Sequence, residues 1–280
     1  MDIAVGIINW NSGHWLKDCI ASLLAATDVA EIVVVDNAST DRSLEEAAGF
    51  ADRVKLVRSE SNLGFAGGVN KVFALTSAPY VLILNPDVGV RTGVVGRLQS
   101  FLDSHPKAAA IGGHVGENYF PRRLPTALSL IRENLGLGNR PYGAWVAEDP
   151  CEIEQAAAAA LMIRRSAFLE VGGFDNRFYP AWYEDVDFCK QLHSAGWRLY
   201  FDPMAQFLHE GGYSAKALGT SGFATAYYRN QLRYVRKHMG KTAGMAIRCS
   251  MVAGMVARTI AAPARAAAYW SVLAGALGKW

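Results

Sequence analysis

Carboxylates and amides recur where short β-branched runs of this sequence end, and those positions could do chemistry. Val35-Asp36-Asn37-Ala38-Ser39-Thr40-Asp41-Arg42-Ser43 follows one such run. A carboxylate at Asp36, with Asn37 beside it, could accept hydrogen bonds from a base imide or a ribose hydroxyl. An ordinary strand-to-helix turn favours the same Asp, Ser and Thr as capping residues, so the segment alone leaves both readings open. Asn62-Leu63-Gly64-Phe65-Ala66-Gly67-Gly68-Val69-Asn70 is a glycine-rich turn entering a helix. Glycine permits close backbone approach there, and a helix N-terminus offers unpaired N–H groups to phosphate. Leu84-Asn85-Pro86-Asp87 closes another run; Asp87 could hold a divalent cation against a diphosphate through hard oxygen ligands, although NPD is also a common turn.

Two further segments carry acids and an imidazole. Trp182-Tyr183-Glu184-Asp185-Val186-Asp187 opens a helix expected over 183–195. Acids favour helix N-termini, whose dipole also keeps a carboxylate ionised, as a general base requires. Glu184 and Asp185 are expected on different faces, so that one of them serves the site, while Val186, Cys189 and Leu192 form a core stripe. His209, in Phe207-Leu208-His209-Glu210-Gly211-Gly212, could complete a mixed oxygen and nitrogen metal site with Asp87. Imidazole ligation suits Mn2+ more than Mg2+, and both remain open.

The elements that must position these groups follow from periodicity. Residues 3–9, 31–36, 54–57 and 80–84 read as strands, with an amphipathic helix from Trp15 onward and another from Gly68 to Thr76. Strands alternating with helices imply a mostly parallel sheet covered on both faces, with ligands at the carboxyl ends of the strands. That singles out Asn9, Asp36, Asn37 and Asp87. A dinucleotide fold would place GxGxxG after the first strand; Asn9-Trp10-Asn11-Ser12-Gly13 stands there, which disfavours hydride transfer. Residues 118–150, rich in Pro, Gly and Arg, read as a long loop near the site. Ala156–Arg164 is a strand or a helix on composition.

Composition sets the outer bounds. With 51% apolar residues the 280-residue chain can bury a full core. The four cysteines lie far apart with no CxxC pair and read as reduced thiols of a cytosolic protein; the N-terminus lacks the pattern of a signal peptide. All 25 acids lie at or before Glu210, whereas ten of the 28 Lys and Arg follow it. The first 210 residues therefore carry −7 and the tail +10, the sum being the overall +3. A basic amphipathic helix begins at Tyr227. No segment reaches the roughly 18–20 uncharged apolar residues of a membrane span, so a tail lying on an anionic membrane surface is expected rather than nucleic-acid binding.

In their order, these segments resemble glycosyltransferase family 2, in particular its rhamnosyltransferase-like members. The matching stretches are VDNASTDRS (35–43), NLGFAGGVN (62–70), LNPD (84–87), RRSAFLEVGGFDNRFYPAWYEDVDFCKQLHSAGWRL (164–199) and the HEGGYS that begins at His209. They span residue 3 to about 214. The resemblance implies an α/β GT-A fold, a Rossmann-like mostly parallel central sheet flanked by helices, with a C-terminal helical extension. Its catalytic domain would be 1–225, with a nucleotide-sugar part over 1–90 and an acceptor part over 91–225, followed by a basic helical tail over 226–280. It maps the nucleoside contact onto Asp36, with Asn9, Asn37, Asn62, Gly64, Asn70 and Asn85 around the nucleotide sugar. Asp87 and His209 become ligands of Mn2+ or Mg2+, and Asp185 the general base of an inverting single displacement. Asn85 stands where many members have an Asp, as is common in the rhamnosyltransferase-like branch. Trp182, Tyr183 and Glu184 are candidate sugar or acceptor contacts. The implied donor is dTDP-L-rhamnose, with UDP-galactofuranose and other UDP-sugars as alternatives. The implied acceptor is a glycan or a polyprenyl-diphosphate-linked sugar of the cell envelope, at the inner face of the plasma membrane. A GT-A domain that binds nucleotide without transferring sugar is the non-enzymatic alternative.

Overall fold

The structure, a computed structural model, describes residues 3–26, 29, 31–116, 119–138, 149–209 and 213–280. In its first half β1 (Ile3–Asn9), α1 (Trp15–Ala26), β2 (Glu31–Asp36), α2 (Ser43–Ala47), β3 (Lys55–Arg58), α3 (Gly64–Leu75) and β4 (Tyr80–Leu84) alternate. Then come β5 (Val88–Gly89), α4 (Val94–Ser104), β6 (Ala108–His114), α5 (Ala127–Asn134), β7 (Cys151–Ile153), β8 (Ala160–Arg164), α6 (Arg165–Glu170), α7 (Glu184–Ser194), β9 (Arg198–Gln206) and β10 (Leu208–His209). The chain ends in α8 (Tyr213–His238), broken at Gly219, then α9 (Gly240–Ala261) and α10 (Ala266–Ala274).

Eight strands form one sheet in the order β3-β2-β1-β4-β8-β6-β9-β7. β1, β2, β3 and β4 pair in parallel, as do β6 and β9; β8 runs antiparallel between β4 and β6, and β7 antiparallel on β9. The expected α/β architecture is therefore present, with a mostly parallel sheet. β1 and β4 are buried along their whole length, as the continuous apolar runs require of strands covered on both faces. One face packs Ile3, Val5 and Ile7 against Leu16, Ile20 and Leu98 of α1 and α4. The other packs Val33 and Val35 against Val69, Val72 and Phe188 of α3 and α7. The succession reverses at β1, with β2 on one side and β4 on the other, which opens a crevice at their carboxyl ends.

Two elements depart from the sequence reading, and a third settles an open choice. α3 begins at Gly64, four residues earlier than expected, and Ala156–Arg164 yields β8. The 118–150 stretch contains α5, started by a capping box in which Thr126 Oγ1 accepts from Ser129 N and Ser129 Oγ from Thr126 N. Residues 118 and 139–148 of that stretch lie outside the described residues.

A third apolar cluster joins α5 and the start of α7 to α8, α9 and α10 through Leu130, Phe178, Tyr183, Val235, Met251 and Val272. Buried Asn134 links three helices by donating to Gln231 Oε1 at 3.0 Å and Ser250 Oγ at 3.3 Å. A Cβ on Gly254 would lie 1.9 Å from the Asn134 carbonyl oxygen, so only glycine lets α9 close on the end of α5. The tail's cations also turn inward. Arg258 caps the last carbonyls of α5 at Asn134 and Glu133, Arg248 caps Ala276 and Trp280, and Arg229, Arg233, Arg236 and Lys237 likewise bond to protein groups. Six of the ten tail cations thus make hydrogen bonds within the fold; those to neutral carbonyls leave the positive charge in place, and Arg236 stays exposed. Among the described residues no helix is long and apolar enough to cross a membrane.

Candidate active site

The loops after β1 and β2 interlock. Asn9 Nδ2 donates to Asp36 Oδ1 at 2.8 Å and to Ser43 Oγ at 3.0 Å, while Asn9 Oδ1 accepts from Ser12. Asp36 is fully buried; its Oδ1 also accepts from Ser39 Oγ at 2.5 Å and its Oδ2 from Ser39 N at 3.2 Å, with Arg58 Nε 3.7 Å away. Both residues thus organise the turn from within and present little surface to a ligand. Asn37 donates to Gly64 O at 3.1 Å, leaving its Oδ1 buried without a partner.

The glycine turn is locked onto a distant segment. Gly64 has φ +72°, and an added Cβ would meet Pro180 O at 2.7 Å; Phe65 N donates to the same oxygen at 2.7 Å. Asn62 Oδ1 accepts from Gly64 N at 2.8 Å and fixes the turn. Asn70 is engaged by another segment: its Nδ2 donates to Phe174 O and Asn176 Oδ1, both at 2.8 Å, and its Oδ1 accepts from Phe174 N. It holds the 172–176 turn, which accounts for its place in the sequence pattern without ligand contact.

Beyond β4 the chain turns through Asn85, Pro86 and Asp87. Asn85 N donates to Ala159 O at 2.9 Å and Val88 N to Asn85 O at 3.2 Å. Beneath the turn, burial and then the charge of Asp87 push the Cys19 thiol up to about 12, so it is an inert packing group. β10 runs antiparallel to β5 with His209 opposite Val88, so the backbone brings His209 beside Asp87. The side chain of His209 lies outside the described residues, as does Glu210.

Asn85 and Asp87 line a cavity of about 670 Å³ whose other walls include Arg122, Tyr183, Glu184 and Asp185. Trp182 and Tyr183 both have φ +73°, a left-handed pair that brings the chain sharply into α7. Because Glu184 and Asp185 occupy the first turn of α7, both reach the cavity, contrary to the expectation of divergent faces. Burial pushes the Asp185 carboxyl up; the Val186 and Ala158 N–H groups and the charge of Arg122 offset part of that rise. Burial and then the neighbouring Asp185 charge push Glu184 well above the ordinary carboxylate value, with no cation beside it, and its Oε2 has no partner. Asp185 is therefore the first of the two to ionise.

Tyr183 is buried, edge-on to Tyr227, and accepts from Gln231 Nε2 at 3.1 Å, so its ring serves the core first. Trp182 is half-buried with its ring against Phe223 at 4.7 Å. A second cavity, about 400 Å³, is lined by Trp10, Asn62, Tyr179, Pro180 and Arg229. Sequence reasoning missed Arg122 and Arg229. Arg122 stands in an aperiodic stretch, and the Arg122–Gln155 bridge helps bring it to the site.

Residues 4–171 match the family model described as glycosyl transferase family 2. The chain belongs to glycosyl transferase family 2. Across 85% of both chains it is 27% identical to N-acetylglucosaminyl-diphospho-decaprenol L-rhamnosyltransferase of Mycobacterium tuberculosis. It is also 27% identical to a pre-mycofactocin glycosyltransferase of that organism, over 75% of this chain and 43% of the other. Among solved structures, a Pyrobaculum calidifontis mannosyltransferase in complex with GDP-Man and Mn2+ superposes with a TM-score of 0.62 at 14% identity, covering 99% of this chain and 87% of that one. GalNAc-T7 with UDP, GalNAc and Mn2+ superposes with a TM-score of 0.65 at 17% identity, over 84% and 47%. These likenesses show the GT-A fold for this family 2 chain.

Proposed function

We propose that the chain is an inverting glycosyltransferase that moves L-rhamnose from dTDP-L-rhamnose to a polyprenyl-diphosphate-linked acceptor in cell-envelope synthesis, at the inner face of the membrane. The observation that carries this reading is that Asp87, at the end of β4, and Asp185, in the first turn of α7, line one cavity. The named activity of the rhamnosyltransferase relative supports the choice of donor and of a lipid-linked acceptor.

Asp185, with the lower proton affinity of the acidic pair, removes the proton from the acceptor hydroxyl as that oxygen attacks the anomeric carbon opposite the diphosphate. A positioned base contributes about 10²–10⁴ in rate. Neutral Glu184 donates a hydrogen bond to a sugar hydroxyl, and Trp182 offers a flat face to the ring. The interlocked Asn9, Asp36 and Asn37 hold the nucleoside end of the crevice, with Asn62, Gly64 and Asn85 along it.

Among the described residues no three His, Cys, Asp or Glu cluster as a metal site. One carboxylate at a strand end, with the His209 backbone beside it, fits a divalent cation whose remaining ligands are diphosphate oxygens and water. Bound by Asp87 and His209, Mn2+ or Mg2+ would neutralise charge developing on the leaving diphosphate.

The test is thermal stabilisation and donor hydrolysis with a panel of nucleotide sugars, with and without Mn2+. dTDP-L-rhamnose should give the largest metal-dependent response. A larger response to UDP-galactofuranose or a UDP-hexose would reassign the donor, and binding without hydrolysis or transfer would overturn the enzymatic reading.

A further inference from the structure

α9 wears its polarity inside out. Its exposed positions include Met245, Cys249, Ala253, Val256 and Ile260, spaced by three or four residues and hence aligned on one face. From Thr242 to Ala264 the only charged residues are Arg248 and Arg258, and both turn inward to cap carbonyl oxygens. In a water-exposed helix the long cations would occupy the outer face. Ile260 is 78% exposed, and Trp270 and Leu277, which follow on α10 and the last turn, are 61% and 70% exposed. Lys241 stands at the start of this face and Arg265 at its end, and no acid occurs anywhere after Glu210.

We propose that the exposed face of α9, continued by Trp270 and Leu277, is a membrane-docking surface that lies in the headgroup region of an anionic lipid bilayer. Lateral insertion suits the geometry: α9 packs on the protein through Ile247, Met251 and Met255 and leaves a second apolar face outside, and no described helix qualifies as a span. The rim cations complement anionic headgroups, and exposed Trp270 is a side chain suited to the interface between lipid and water. The apolar face, rather than the net charge of the tail, carries the contact, because six of the ten tail cations already hydrogen-bond to groups of the fold.

The surface also has a defined relation to the candidate active site. Residues Thr126, Ser129, Leu130 and Glu133 of the α5 segment line the 670 Å³ cavity, and the same helix packs on α9 through the Asn134 and Arg258 contacts. Exposed Leu128 and Leu137 flank that junction. α9 therefore packs by its inner side on the helix that lines the cavity, so a bilayer against its outer face would stand two helices from the site of a lipid-linked acceptor. That last point rests on the proposed transferase function; docking itself does not.

The experiment is co-sedimentation of the full chain with phosphatidylcholine vesicles, with and without phosphatidylglycerol, beside the double variant Val256→Glu/Ile260→Glu and the double variant Lys241→Glu/Arg265→Glu. Expected are binding of the parent protein to the anionic vesicles, at least about tenfold weaker partition for the first variant, and loss of the anionic preference for the second. Unchanged circular dichroism and melting temperature will show that the variants fold, since every replaced side chain is exposed or flanks the face. Trp270 fluorescence quenched by brominated lipid, and that quenching lost in Trp270→Phe, would support the proposal further. It is overturned if the parent protein ignores both vesicle types, or if the apolar double variant partitions like the parent. It is equally overturned if light scattering shows a dimer that this variant dissociates, with no vesicle binding by either. Partition is read without sugar transfer, so failure of docking and failure of the transferase reading are distinguishable.

Discussion

Lys237 Nζ donates to the fully buried carboxylate of Asp187 at 2.8 Å. The contact ties the last turn of α8 to the helix whose first turn presents Glu184 and Asp185. Asp187 also bonds His238 Nε2 at 2.7 Å, and Lys237 reaches Asp175 at 2.9 Å, whose carboxyl Arg177 and Lys237 hold well below the usual carboxylate range. The third acid of the YEDVD segment is thus a positioning residue for the first two.

Lys237→Met should expose how much that position matters. It removes two charge-assisted bonds, to Asp187 and to Asp175, and leaves the buried Asp187 carboxylate with His238 and Gln191; each such bond contributes about 1.5–3 kcal/mol. Urea unfolding should report that loss. If Lys237 also orients α7, kcat should fall by about tenfold while the donor KM holds, because misplacing a base acts on the chemical step.

The acidic limb of the pH–rate profile follows from the asymmetry of the acidic pair. Asp185 is pushed up by burial but helped to ionise by Arg122 and two N–H groups. Activity should therefore rise with pH through a midpoint above the ordinary carboxylate value of about 4. Glu184→Gln should leave that midpoint nearly in place, since Glu184 is neutral while Asp185 ionises. Asp185→Asn should remove the limb together with about 10²–10⁴ of the rate, with donor affinity within a few fold. Near-parental turnover in Asp185→Asn would reassign the base.

Stability should depend on pH in the opposite sense from that of a salt-bridged acid. The Glu184 carboxyl binds its proton more tightly folded than unfolded, so its favourable contribution is complete below the unfolded value, about 4.3. It is lost as pH rises through the folded value. Glu184→Gln carries no such titration. Its melting temperature relative to the parent should climb between pH 5 and pH 8; a constant difference would show that Glu184 ionises freely in the fold.

Much of this arrangement was legible in the sequence, for local reasons. β1, β2 and β4 are apolar runs that end in Asn9 and Asp36 or are followed at once by Asn85, so their type and the position of the crevice follow from the pattern itself. What stayed hidden depends on contacts distant in sequence. β8 is a strand because it inserts antiparallel between β4 and β6, which composition does not encode. The inward turn of Arg248 and Arg258 depends on carbonyls at Ala276 and Asn134, so a charge count assigned them to the surface. Asn70 looked like part of a phosphate turn because its partners, Phe174 and Asn176, lie more than a hundred residues away.

Asp87→Asn tests the metal reading. The substitution keeps the turn, whose backbone bonds run through Asn85 and Val88, but removes the only carboxylate of the Asn85-Pro86-Asp87 segment. Thermal stabilisation by dTDP or UDP should then lose its dependence on Mn2+, and a His209→Ala variant should weaken it in the same direction. Retained Mn2+ dependence in both would place the cation elsewhere.

Gly64→Ala separates backbone strain from a collision. Gly64 has φ +72°, and its added Cβ would meet Pro180 O at 2.7 Å and Tyr179 Cδ2 at 2.9 Å. Gly13 has a similar φ of +56° with nothing within 4 Å of its notional Cβ, so Gly13→Ala bears the conformational cost alone, about 1 kcal/mol. Gly64→Ala adds the displacement of a backbone carbonyl that also accepts from Phe65 N. It should cost at least about 1 kcal/mol more in denaturant unfolding. Because Pro180 leads directly into Trp182, Tyr183 and the acidic pair, the same variant should also lower turnover, whereas Gly13→Ala should not. Equal stability losses in the two variants would mean that the Gly64 turn does not bear on the 179–185 segment.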